Sequence, residues 1–81
     1  MDDILEERIC EVVARTFGVD EQDVDGDTTA QTLGSWTSLA HLRLLTNLQD
    51  AFGVRFTMAE MTNMTSVRAI EQTLAAKGVS A

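Results

Sequence analysis

Few side chains in this sequence can act as nucleophile, base or metal ligand. There is one histidine, His41, and one cysteine, Cys10. Together they fall short of the roughly four nitrogen and sulfur ligands that a zinc site takes. Glu21, Asp23 and Asp25 ahead of Gly26 superficially resemble a calcium loop. Its twelfth position is Thr32, which lacks the bidentate carboxylate that the geometry requires. No nucleophile stands beside a base in a pattern that would make an enzyme of this chain. What is left is a hydroxyl: Ser38, at the start of the leucine-rich run Ser38 to Phe52. Taken alone, Ser38 reads as an N-cap or first-turn serine. Its neighbours change that reading. Advancing 100° per residue along a helix, Leu44, Leu45, Leu48 and Phe52 fall on one side, with His41 and Ala51 among or beside them. Leu39 and Leu42 fall on the other, with Arg43, Thr46, Gln49 and Asp50. With Trp36 just before the helix, three large apolar side chains surround one hydroxyl, the pattern of a docking patch.

The elements that must position this serine follow from periodicity. Leu5, Ile9, Val12, Val13 and Phe17 recur at helical spacing behind an acidic first turn, giving a helix over Asp3 to Phe17 that Gly18 stops. Residues 19–37 have no sustained period, and so long a connection is often functional or held by a few buried side chains. Val19, Val24 and Leu33 are the expected pins. Ser38 to Phe52 is the second helix, stopped by Gly53. A short helical segment is expected around Met58–Met61, with Met58, Met61 and Met64 as core filler. A last helix runs over Ser66 to Lys77, with Thr65 as N-cap, a stripe of Val67, Ile70 and Leu74, and Gly78 as its stop. No segment alternates as a strand does. Cys10 lies by an apolar face and His41 on the core side of its helix, so packing roles are expected of both.

Length and charge bound the function. With 81 residues the chain makes a single domain, 1–81, and one modest core. Aromatics are only 5% of the residues, so aliphatic side chains must build that core. The net charge is -7, and residues 1–27 hold ten of the thirteen acids against Arg8 and Arg15 alone. Such an acidic surface repels phosphate backbones, which argues against a nucleic-acid partner. A Met-Asp-Asp start lacks a signal peptide's pattern, no run is long enough to span a membrane, and a lone cysteine suits a reducing cytosol.

The run Leu33-Gly34-Ser35-Trp36-Thr37-Ser38-Leu39, followed by a leucine-rich helix closing in Phe52-Gly53-Val54-Arg55-Phe56, resembles the acyl carrier protein family. Its motif is leucine-glycine, one or two variable residues, then aspartate-serine-leucine. Phe17-Gly18-Val19-Asp20 and Met64-Thr65-Ser66-Val67 also resemble stretches of that family. The likeness extends over about residues 4 to 75. It implies an all-α four-helix bundle with a short third helix and a long loop between helices one and two. It also implies a non-enzymatic role. A phosphopantetheinyl transferase would attach 4′-phosphopantetheine from coenzyme A to Ser38, and the arm would carry acyl or aminoacyl groups as thioesters. A loading ligase or transferase and a downstream synthase would be the further partners, and a monomer suits a carrier that visits several enzymes. By position, Leu39 and Leu42 match partner contacts of the family, and Trp36, Thr37 and Arg43 complete the expected partner surface. Physical chemistry agrees: a first-turn serine sets a phosphodiester close to unpaired amides and the positive end of the helix dipole.

Two positions depart from the family pattern. Thr37 stands where the family has aspartate; it can still cap the helix but offers no carboxylate to a transferase. Arg43 stands at a position that is acidic in carriers of fatty-acid synthesis. That change points to a dedicated polyketide, nonribosomal-peptide or polysaccharide pathway, because charge complementarity governs partner choice. The competing expectation is an unmodified module of the same fold that binds a partner through Trp36, Leu39 and Leu42.

Overall fold

The computed structural model describes residues 3–79. Its order is α1 (Asp3–Phe17), α2 (Ser38–Phe52), α3 (Met58–Asn63) and α4 (Val67–Ala76), with no strand among the described residues. The expected all-α bundle with a short third helix is what the chain forms. Helix α1 packs against both α2 and α4. Its stripe Leu5, Ile9 and Val13 meets Leu44, Leu45 and Leu48 of α2 and Val67, Ile70 and Leu74 of α4, all nearly sealed from solvent. Gly18 and Gly53 end their helices with φ of 68° and 66°, the left-handed turn that costs glycine least.

The connection between α1 and α2 is long but well tied. Asp20 accepts a hydrogen bond from the Gln22 amide at 2.9 Å and caps a 3₁₀ turn, Glu21–Asp23. Val24 then enters the core, and Val19 and Leu33 pack against it, as the pins should. The backbone ties of this loop leave no trace in residue pattern. The Ala30 amide donates to the Thr65 carbonyl at 2.8 Å, and the Val67 amide donates to the Thr28 carbonyl at 2.9 Å. An isolated bridge between Thr29 and Ser66 joins the loop to the entrance of α4.

Two local expectations are corrected. The cap of α4 is Ser66, whose hydroxyl accepts from the Ala69 amide at 3.0 Å; Thr65 precedes it. Helix α3, Met58–Asn63, is the expected short segment, and Thr57 and Glu60 form a reciprocal capping box at its start. Of the three methionines only Met64 is fully buried; Met61 is half-buried, and Met58 is 80% exposed at the first position of α3.

Candidate functional site

The site is built around the first turn of α2. Two hydrogen bonds fold the chain into it: the Trp36 amide donates to the Leu33 carbonyl and the Thr37 amide to the Ser35 carbonyl, each at 3.0 Å. Thr37 has extended backbone, and its hydroxyl accepts from the Ala40 amide at 3.2 Å, while its carbonyl accepts the His41 amide at 2.8 Å. Thr37 is therefore the N-cap, as its residue type allows. The amides of Ser38 and Leu39 precede the first helical bond and have no acceptor within the helix. Ser38 is exposed, and its hydroxyl makes no hydrogen bond among the described residues. No acid occupies the first turn of α2.

Leu39 and Leu42 are 64% and 61% exposed, so α2 does carry a second apolar face beside Ser38. Arg43 is exposed too. Trp36 is not part of that face, and the expectation that it helps form an exposed patch is corrected. It is only 6% exposed, with its ring 5.4 Å from that of Phe17. Its indole N–H donates to His41 Nδ1 at 3.0 Å. Burial of so large a ring becomes affordable because its one polar atom finds this acceptor. His41 Nε2 lies 2.8 Å from the Met61 carbonyl. Accepting at Nδ1 leaves Nε2 as the protonated nitrogen, so His41 donates there to α3. One imidazole thus joins the loop ahead of Ser38, helix α2 and helix α3. Sequence reading placed His41 on the core side but missed this bridge. Nothing in spacing announces an indole and an imidazole that meet across a loop–helix junction.

Beside Ser38 lies a surface cleft of about 210 Å³ lined by Ala30, Trp36, Thr37, Ser38, His41 and Thr65. Its place in the fold follows from the Ala30–Thr65 tie, which holds the long loop against the turn before α4.

A helix-initial serine of this kind, exposed, capped and without a base of its own, suits a covalent attachment point. The family model for the phosphopantetheine attachment site matches residues 7–74. This chain belongs to that family. It is a carrier protein whose prosthetic group is 4′-phosphopantetheine. No curated protein matches the sequence. The residues of the carrier fit the group: a free hydroxyl, two unpaired amides and a helix N-terminus would suit an anionic phosphodiester, and no carboxylate of that first turn would oppose it.

The other candidate residues stay apart from this site. Cys10 is buried in the α1 stripe, and its thiol is pushed up to about 11 by burial and then by the nearby Glu6, Asp25, Glu21 and Glu71 carboxylates. No group of acids, histidine and cysteine among the described residues is arranged to hold a metal ion. No helix among them is long and apolar enough to cross a membrane.

Proposed function

We propose that this chain is an acyl or aminoacyl carrier whose arm is attached at Ser38. The observation that carries the reading is the exposed, unpartnered Ser38 hydroxyl in the first turn of a helix capped by Thr37. Ser38 Oγ attacks the phosphorus that bears the pantetheine part of coenzyme A. A new O–P bond forms, the pyrophosphate bond breaks, and adenosine 3′,5′-bisphosphate leaves. The serine proton passes to a base of the phosphopantetheinyl transferase, so the engagement of His41 with Trp36 and Met61 is no obstacle. Once attached, the arm supplies a terminal thiol that holds cargo as a thioester. A reducing cytosol keeps that thiol free, and it is the compartment this reading assigns.

Thr37, Leu39, Leu42 and Arg43 form the partner surface. The transferase, a loading ligase or transferase, and a downstream synthase use it in turn. Exposed Arg43, with Asp50 as the sole acid of α2, would not steer the helix toward a basic docking site. This supports service in a dedicated polyketide, nonribosomal-peptide or polysaccharide pathway.

Intact mass after incubation with coenzyme A and a broad-specificity transferase tests the assignment. The expected result is one phosphopantetheinyl increment, absent from Ser38→Ala. An increment that survives Ser38→Ala would move the attachment point elsewhere. Thr37 in place of aspartate favours the second reading, an unmodified binding module. Burial of Trp36 weighs against that reading, because it removes the largest side chain from the proposed surface.

A further inference from the structure

The cleft beside Ser38 has a chemical character of its own. Most polar side-chain atoms of its lining are already engaged within the protein. Thr37 Oγ1 holds the Ala40 amide, Trp36 Nε1 donates to His41 Nδ1, and His41 Nε2 meets the Met61 carbonyl. What it offers a guest is therefore chiefly methyl groups and ring edges, with the hydroxyls of Thr65 and of Ser38 itself at its margin. Its volume, about 210 Å³, equals roughly seven waters at about 30 Å³ each. That admits a compact branched aliphatic group. Beneath it the core is closed: Leu44, Leu48, Met64, Ile70 and Leu74 are all at 0% exposure.

Resting on attachment at Ser38, we propose that this cleft seats the root of the arm. The part of phosphopantetheine nearest the serine is the phosphate, then one methylene, then a carbon bearing two methyl groups. A branched apolar unit so close to the attachment oxygen matches a small apolar cleft that the attachment residue itself lines. Ala30, Trp36 and Thr65 receive the paired methyls. His41 is a positioning residue that holds Trp36 in place. The thiol end and its cargo then stand in solvent, open to partner enzymes.

The test uses the indole N–H resonance of Trp36, the sole tryptophan, in the full chain. The transferase installs three arms in parallel: from coenzyme A, from an analogue lacking the two methyls, and from decanoyl-coenzyme A. Intact mass confirms each attachment. The expected outcome is a resolved displacement of the Trp36 resonance with the natural arm. That displacement is lost with the methyl-free arm and unchanged by the decanoyl cargo. Attachment with no displacement, or the same displacement from the methyl-free arm, overturns the proposal. A displacement that appears or grows only with decanoyl cargo also overturns it, since the cleft would then hold cargo. Failure of every arm to attach removes the Ser38 assignment itself, and the proposal with it; intact mass separates that failure from the others.

Discussion

Ser38 and Thr37 sit side by side with separate tasks, and substitutions can separate them. Ser38 presents the hydroxyl, whereas Thr37 caps the helix through its own hydroxyl. Thr37→Asp keeps a competent cap and adds a carboxylate for the transferase to use. We expect faster modification with a melting temperature that changes little; unaltered kinetics across several transferases would make Thr37 a neutral variation. Thr37→Val removes the cap and should cost about 1 kcal/mol. The Trp36–His41 pair makes a different claim. The bond geometry requires neutral His41 with its proton on Nε2, which nitrogen-resolved NMR of the imidazole reads directly. His41→Ala strands a buried indole N–H, with an expected loss of about 1–3 kcal/mol in denaturant melts. The exposed place of Ser38 at the start of α2 was legible in the sequence because its signals are local: a hydroxyl, a helix start and a leucine pattern. Trp36 was misjudged for the opposite reason. A tryptophan after a glycine turn can face either way, and the decision rests with Phe17 and His41, which reach it only in three dimensions.

Among the elements, α2 is the one with two faces. Leu48 is fully buried and Leu42 is 61% exposed. Leu48→Ala should cost about 2–5 kcal/mol, close to the whole stability of so small a domain. Leu42→Ala should melt almost as the parent does, yet load more slowly from a cognate partner. If Leu42→Ala proves the more destabilising of the two, the two faces have been reversed. Helix α3 depends on polar ends. The Lys77 ammonium, 2.8 Å from Glu60, together with the Thr57 amide, holds the Glu60 carboxyl below the usual range. A carboxyl lowered in the folded state stabilises above its unfolded pKa, and that contribution disappears as pH falls through the folded value. Amide protection in α3 should therefore weaken on acidification through the lower carboxylate range, and Glu60→Gln should flatten that dependence. The long helices were readable from their apolar stripes and glycine stops. The long loop was not, because its structure comes from backbone bonds to Thr65 and Val67, more than thirty residues away. The α3 capping box is local in sequence, Thr57 with Glu60 three residues on.

At the scale of the whole molecule, the acids crowd one end of the chain while α2 presents Arg43 to solvent. Ten carboxylates within the first 27 residues repel one another. Added salt should screen that repulsion and raise the melting temperature; a melt indifferent to salt would show that the acids are too well solvated to matter. Cys10 lies inside this acidic end, 8% exposed and with its thiol raised to about 11. Thiolate is the reactive form, so the native side chain should ignore a disulfide reagent at neutral pH until the protein unfolds. The attached arm brings a second sulfur, on a tether in open water. Fast and slow sulfhydryl equivalents in one titration therefore count separate things: the first gives the molecules bearing an unloaded arm, the second the total protein. The share of the carrier that bears a free arm can be read as a ratio within a single cuvette, with no tag, no label and no mutation of Cys10.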